Sequence, residues 1–471
     1  MFRGFKIAIA LTAVFAFVLA ACGESESAPS EVVRTVEVER QVTVEVEKLV
    51  TVEVERPVVQ EVVRVVEVEK PVEVVRQVTV EVMQEAQTLP PLIIGHLNAL
   101  TGSLSYFGVS HGNAADLAAS HVNRAGGIQG GSVVIINRDT GVNPVQGVDS
   151  ARALVDVENV AAIVGALASG VTIPVATSVT APNQTLQISH SSTAPSITAL
   201  EDDDFLFRTT VSDAAQGVVL GRLAWEQGYK SAGIMYINNA YGQGLAERFT
   251  QTFTELGGTV TASVPHEDSQ PTFTSELEKA TEGNPDVLVT MSYPGQAEIY
   301  LREALEGDYA STFLFVDGVK SDDMVNAIGG GKLDGTLGTA PGAPDSPDRQ
   351  AFYNAYTLTF GVEAPQEPYL AETYDAVVLI ALAAARAGTT TDSVAIRDAL
   401  RDVANPPGEV VGPGAAGIQK ALALIASGMD INYEGASGPV DFDEHGDVSG
   451  PIEIWTVEGD AVKSTGRFEL P

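Results

Sequence analysis

Six side chains stand where an α/β protein usually grips a small polar molecule, just past the carboxyl ends of short apolar runs. Ser169 follows the run Ala161–Gly165 and opens an expected helix, so a hydroxyl and free backbone N–H groups converge as an anion site. Ser191-Ser192-Thr193-Ala194-Pro195 repeats the arrangement after Thr185–Ser189, and the two sites together suit one carboxylate. Asp317 follows Thr312–Val316, where a carboxylate suits an ammonium group, while Tyr293 follows Val287–Met291 and Tyr241 follows Ser231–Ile237. The chemistry this set allows is recognition of a zwitterion. Each member also has a plainer reading: Ser169 and Thr193 as helix caps, Asp317 before Gly318 as a turn residue, the tyrosines as half-buried aromatics.

Signatures of catalysis are scarce. There is no G-x-S-x-G elbow, and Gly329-Gly330-Gly331-Lys332 lacks the spacing of a phosphate loop. The 6 histidines show no metal-ligand spacing, so each reads as a surface or core residue. Gly126–Gly130 follows a helical pattern rather than a strand and reads as a turn, not a dinucleotide loop. With no nucleophile–base pair and no metal cluster, the chain reads as a binding protein that is not an enzyme and has no cofactor.

The elements that must position the six side chains alternate. Expected strands are Leu92–His96, Val133–Asn137, Ala161–Gly165, Thr185–Ser189, Ser231–Ile237, Thr259–Val264, Val287–Met291 and Thr312–Val316. Expected helices are Asn113–Arg124, Gln146–Val157, Val171–Val179, Leu245–Leu256, Thr274–Ala280 and Ala297–Glu306. Repeated β-α-β units call for parallel sheets with helices on both faces. The strands are too many for one comfortable sheet, so two lobes are expected.

The N-terminus reads differently. Arg3 and Lys6 precede an apolar run, Ile7–Val18, and then Leu19-Ala20-Ala21-Cys22. This is an export leader, too short to span a bilayer, which takes about 20 apolar residues. Cys22, the only cysteine of the 471-residue chain, resembles the lipidated cysteine of a bacterial lipobox. The rest is then extracytoplasmic and held at a membrane surface without crossing it. With no second thiol, a disulfide is excluded, as is Cys-ligated zinc. Residues 23–88 are read as a spacer and stalk carrying the octads Thr35–Val42, Thr43–Val50 and Thr51–Val58, in which Val alternates with Thr or Glu at a strand-like period of two. Such a segment is a linker or, through its valine strands, a self-pairing stalk. The formal net charge of −35 argues against nucleic acid, and against anionic ligands unless a local site defeats the field.

From about residue 91 to 460 the chain resembles the type I periplasmic binding proteins, in the leucine/isoleucine/valine-binding branch of ABC-transporter receptors. The stretches that carry the resemblance are Leu100-Thr101-Gly102 with Phe107-Gly108, Asn123–Gly130, Ser192–Thr198, Phe207–Thr210, Ala240–Leu245 and Ile431–Asp447. The resemblance implies two Rossmann-like lobes joined by a three-strand hinge, closing over a ligand that is passed to a permease with ATPase subunits. It assigns the carboxylate grip to Ser169 and Thr193, with backbone near Ser191. The ammonium falls to Asp317, where relatives often have Glu. Tyr241 and Tyr293 are cleft tyrosines of the second lobe, and Phe107, Leu167 and Tyr369 pack the ligand's side chain. Lobe 1 is expected at 89–211 and 340–437, lobe 2 at 212–339 and 438–471. A disulfide found in some relatives falls here on Val142 and Ala168, which puts the rigidity of the first lobe in doubt.

The leading expectation is therefore an extracytoplasmic, lipid-anchored receptor for a branched-chain amino acid. A short amide, urea or aromatic acid is the alternative ligand class, and a structural or sensory protein working through its stalk is the alternative role.

Overall fold

The structure, a computed structural model, describes residues 88–471 and the backbone of two short strands, β1 (Thr35–Glu37) and β2 (Gln77–Thr79), which pair antiparallel. The leader, Cys22 and most of the octad repeat lie outside the described residues. The chain divides into two units, Met1–Ala86 and Gln87–Pro471. The second unit is built around two large sheets.

Its first sheet is five parallel strands in the order β4-β3-β5-β6-β7: β3 (Leu92–Asn98), β4 (Val133–Asp139), β5 (Ala162–Gly165), β6 (Leu186–Ser189) and β7 (Leu206–Arg208). The strands β5 and β6 are buried at every residue; β5 accordingly reads as an unbroken apolar run, while in β6 the buried Gln187 and Ser189 donate to the Gly165 and Ala166 carbonyls, each at 2.9 Å. Between these strands run α1 (Ser105–Arg124), α2 (Pro144–Arg152) and α3 (Ser169–Val175). The first of these helices starts eight residues before the expected Asn113. Its opening turns hold Gly108, Ser110 and Gly112, which hide the apolar period. A Cβ on Gly108 would stand 2.3 Å from the Ala99 carbonyl oxygen, so the small residue lets the helix lie against the end of β3. The second starts early for another reason: Asn143 accepts from the amides of Val145 and Gln146, with Pro144 at the first helical position.

The second sheet repeats the plan. α4 (Asp213–Glu226), β8 (Ser231–Ile237), α5 (Ala240–Glu255), β9 (Thr259–His266), α6 (Thr274–Ala280), β10 (Val287–Met291), α7 (Pro294–Glu306), β11 (Phe313–Phe315), α8 (Asp322–Ile328) and β12 (Leu337–Pro341) follow in turn. The chain then returns to the first lobe as α9 (Pro347–Phe360), α10 (Leu370–Ala387), α11 (Ser393–Asp398), α12 (Leu400–Ala404), β13 (Glu409–Val411), α13 (Gly414–Ala426), β14 (Ile431–Gly435) and β15 (Gly438–Pro439). It ends on β16 (Ile452–Glu458) and β17 (Ala461–Glu469), antiparallel additions that complete the seven-strand order β17-β16-β12-β11-β10-β8-β9.

Apolar almost all round, α10 lies in the core between the first sheet and its covering helices, as its sequence requires. A second core is shared by both lobes, running from Leu154 and Val171 to Phe249 and Leu314. Three segments cross between the lobes, and they touch. Val211 bridges Val448 in parallel, and the Gly342 amide donates to the Pro451 carbonyl at 3.3 Å. The third crossing lies later than the expected Ser437-Gly438. Val440, Phe442 and Val448 pack in the first lobe's core, and Asp447 is tied there by Arg208. No helix among the described residues is long and apolar enough to cross a membrane.

Candidate functional site

In each sheet the strand order reverses beside one strand, β3 in the first and β8 in the second. The carboxyl ends of strands at such a switch point are where open α/β sheets bind ligands. Here the two switch points face each other across a small enclosed cavity. It is lined by Phe107 on α1, by Leu167 and Ser169 after β5, and by Ser191 after β6. The second lobe contributes Tyr241, Tyr293 and Asp317, and Tyr369 reaches in just ahead of α10. Eight of the nine residues singled out in the sequence thus line one cavity, together with Leu104, His111 and Gly318. Thr193, the ninth, does not line it.

Neither hydroxyl residue is a helix cap. Ser169 Oγ accepts from the Ala194 amide at 3.2 Å, and the position before α3 is Ala168, which caps nothing. Thr193 Oγ1 donates to Asp213 Oδ2 at 2.7 Å. The Ser191 hydroxyl is spent on the Leu167 carbonyl at 2.9 Å, which binds the two ligand-side loops of the first lobe together. Arg208 fixes the same region from behind. Fully buried, it is bidentate on Asp447, with Nη2 2.7 Å from Oδ2, and its Nη1 donates to the Ala194 carbonyl at 3.0 Å. Three of the sequence stretches that carried the resemblance therefore meet in one network: the loop 192–198, the end of β7, and Asp447. Val142 and Ala168, where some relatives have a disulfide, lie in the core shared by both lobes.

Asp317 is the electrostatic centre. Its Oδ1 accepts from Tyr241 at 2.9 Å and from Gln216 Nε2 at 2.8 Å, and its Oδ2 accepts from Tyr369 at 2.6 Å. All three donors are neutral. Burial pushes the Asp317 carboxyl up, although the three donors oppose the rise. Asp213, at the start of α4, is buried as well; burial first, and then the charge of Asp317, hold its carboxyl well above the usual range. Its Oδ1 has no partner. The hydrogen bond from Thr193 and the charge of Arg208 oppose the rise. Asp317 lines the cavity while Asp213 does not, and no Lys or Arg lines it.

The tyrosines are held by geometry. Tyr241 and Tyr293 stack with ring centroids 5.6 Å apart and planes 10° apart, and Asn239 Nδ2 donates to the Tyr293 hydroxyl at 3.0 Å. Gly318 is required beside them: a Cβ there would stand 2.4 Å from the Ser292 carbonyl oxygen and 2.8 Å from the Tyr241 hydroxyl.

Sequence reasoning missed Asp213, Gln216 and a trio of histidines. His96, His111 and His190 are scattered in sequence yet pack edge-to-face around His190, with centroids 5.7 and 5.2 Å apart, and His111 reaches the cavity wall. His111 Nε2 faces the Pro368 carbonyl at 3.1 Å and must carry its proton there; its Nδ1 then accepts from His190 Nε2 at 3.3 Å. Burial lowers all three, His96 to about 4 and His111 to about 3, so they are neutral at ordinary pH. Among the described residues, no group of three or more His, Cys, Asp or Glu side chains is arranged to hold a metal ion.

The lobes are closed on one another. Ser103 donates to Asp268 Oδ2 at 3.1 Å and Tyr106 to Glu298 Oε2 at 2.9 Å across the mouth. The cavity keeps about 20 Å³ of free space, little more than a water molecule needs. A ligand must enter by opening the lobes.

A family model described as "Periplasmic binding protein" matches residues 91–459. The chain is 31% identical over 359 residues to the chemotactic signal transduction system substrate-binding protein BasB of Halobacterium salinarum, covering 74% of this chain and 83% of that one. It is 28% identical over 312 residues to Leu/Ile/Val-binding protein homolog 3 of Brucella melitensis, covering 66% and 83%. Among solved structures, the leucine-binding protein LivK of Thermotoga maritima superposes with a TM-score of 0.67 at 25% identity, over 80% of this chain and 97% of that one. The chain belongs to the type I periplasmic binding proteins, in their leucine/isoleucine/valine-binding family. Its fold is the two-lobed α/β architecture of that family, which binds solutes and places such proteins outside the cytoplasm.

Proposed function

We propose that this chain is the lipid-anchored receptor of an ABC importer and binds a small amino acid, of the branched-chain kind, between its lobes. The observation that carries the reading is the buried acid pair. Asp213 and Asp317 are both buried, both are pushed up by that burial, and no cationic side chain lines the cavity beside them. Unpaired buried charge is costly, and an ammonium group beside Asp317 supplies the missing positive charge, which also offsets the field that Asp317 exerts on Asp213. A benzoate-like anion would instead bring a third negative charge. Phe107, Leu167 and Tyr293 offer the apolar wall that suits an aliphatic side chain. On this reading the first lobe is 89–211 with 342–447 and the second is 212–341 with 448–471. Cys22 is the site of lipidation, and a permease with ATPase subunits receives the ligand.

A second reading concerns who reads the closed form. The halobacterial relative is named for chemotactic signal transduction, so a membrane transducer, in place of or beside a permease, fits the same closure.

A thermal-shift screen of the twenty amino acids, small amides and benzoate tests the ligand class. A ligand at 100 times its dissociation constant adds about 2.7 kcal/mol of stability. Leucine, isoleucine or valine is expected to give the largest shift. Silence from all three, with a large shift from benzoate or an amide, would overturn the reading.

A further inference from the structure

A second, larger cavity shares Tyr369 with the ligand cleft and keeps about 340 Å³ of free space. Both lobes build it. The second lobe supplies Lys320 and Glu453, which pair at 2.6 Å and so satisfy one another. The first lobe supplies Arg349 and Glu372, and neither takes part in an ion pair among the described residues; Arg349 Nη2 donates to the Tyr353 hydroxyl at 3.5 Å. Arg349 lies against Tyr353, its guanidinium 5.6 Å from the ring centroid, and its Nη1 is shut away from solvent with no hydrogen-bond partner. Glu372 is only 5% exposed. No ion pair and no side-chain hydrogen bond among the described residues reaches its carboxylate, and burial pushes it up to about 7 against the opposing charge of Arg349.

Arg349 Nη1 is a buried donor left unmet, which costs free energy, and Glu372 is a buried acid with no ion-pair partner. Here they have opposite charge and line one space of the size that small-molecule sites occupy. The lining is mainly polar, unlike the aromatic wall of the cleft. We propose that this cavity is a second interlobe site for a small zwitterion, with its carboxylate on Arg349 and its ammonium on Glu372. Since residues of both lobes form the walls, an occupant binds the closed arrangement in preference to the open one. It therefore raises affinity at the cleft by the same factor that a cleft ligand raises its own.

The test is calorimetry on the full-length chain, titrating each of the twenty amino acids into protein already saturated with leucine. At least one, with a polar side chain, is expected to bind one-to-one. Its affinity should fall tenfold or more in Glu372→Gln and in Arg349→Gln, two variants whose binding of leucine alone should stay within threefold of the parent's. Glu372→Gln removes a buried charge and is expected to fold at least as well as the parent, which keeps the test sound if Arg349→Gln does not fold. The proposal is overturned if none of the twenty binds the leucine-saturated chain, or if one binds with equal affinity in Glu372→Gln. Were leucine itself not to bind, the same titrations on ligand-free protein would still separate the sites. Sensitivity to Glu372 without sensitivity to Asp317 belongs to this cavity alone.

Discussion

Asp317→Asn should move binding and stability in opposite directions. In the complex it removes one partner of a desolvated ammonium–carboxylate pair. Breaking such a pair from one side costs about 3–5 kcal/mol, which is roughly 10²- to 10⁴-fold in the dissociation constant for leucine. In the ligand-free protein the carboxylate has three neutral donors and no cation, and burial raises its pKa. A carboxyl raised in the folded state contributes stability that is full below its unfolded value, near 3.9, and is lost as pH rises through the folded value. The wild-type protein should therefore lose stability above about pH 4 through this group, and the Asn variant should be spared that loss. Asp213 should also be relieved in part, because the charge of Asp317 is the second cause of its own rise. Calorimetry with leucine and urea unfolding between pH 4 and 8 measure both halves. Leucine binding weakened less than threefold, or a stability profile that tracks wild type at every pH, would refute the reasoning.

Named contacts set four further outcomes. Arg208→Met leaves Asp447 buried without its bidentate partner, and urea unfolding should show a loss of about 3–5 kcal/mol; a loss under about 1 kcal/mol would mean that the network holds nothing. Gly318→Ala forces a Cβ against the Ser292 carbonyl and the Tyr241 hydroxyl, an overpacking of about 1–3 kcal/mol that should appear as weaker leucine binding, and unchanged binding would sink it. Tyr106→Phe removes the hydroxyl donated to Glu298 across the cleft, so small-angle scattering should show a larger open fraction and leucine should bind up to about tenfold more weakly. The imidazoles of His96 and His111 sit at about 4 and about 3, so their NMR signals should not titrate between pH 5 and 8. A base lowered in the folded state loses its contribution as pH falls from the ordinary 6.5 through the folded value, and acid unfolding should begin in that window.

How much was legible beforehand depends on the range of the interaction. Val287–Met291 and Ala162–Gly165 announced themselves because strands buried on both faces are almost wholly apolar, Thr290 being the one polar position. Their carboxyl ends then located Tyr293 and Ser169, and the ends of Thr185–Ser189 and Thr312–Val316 located Ser191 and Asp317, without knowledge of the packing. The first half of α1 was hidden because close approach to β3 selects Gly108, and a helix packed so closely that a Cβ there would stand 2.3 Å from the Ala99 carbonyl oxygen cannot advertise an apolar stripe at that point. Asp213 was hidden for a different reason. After Ser212 it looks like the acidic first turn of any capped helix, and only the crossing from the first lobe to the second brings it near Asp317, 104 positions away in sequence. The histidine trio spans 94 positions; no local spacing could reveal it. The third crossing was placed too early because Ser437-Gly438 looks like a break, whereas a buried ion pair to Arg208 keeps the next nine residues with the first lobe.

The hydrogen-bond directions also decide how a zwitterion lies in the cleft. Thr193 has one hydroxyl proton, and it is donated to Asp213 Oδ2. Its oxygen can only accept from anything else, and an acceptor backed by a carboxylate attracts an ammonium and repels a ligand carboxylate. The sequence had set Thr193 beside Ser169 on the negative end. The structure splits them: Ser169 accepts from the Ala194 amide and keeps its own proton to give. We therefore propose that the negative end lies at Ser169 and the positive end at Asp317, whose charge acts on the Asp213 that Thr193 holds. Thr193→Val should then discriminate against amino acids while leaving a compound without an ammonium indifferent, and Ser169→Ala should do the reverse for a compound without a carboxylate. Binding of leucine amide and of 4-methylpentanoate to the two variants measures this. If both substitutions weakened the carboxylate-only compound equally, both hydroxyls would face the negative end and the direction inferred for Thr193 would be wrong.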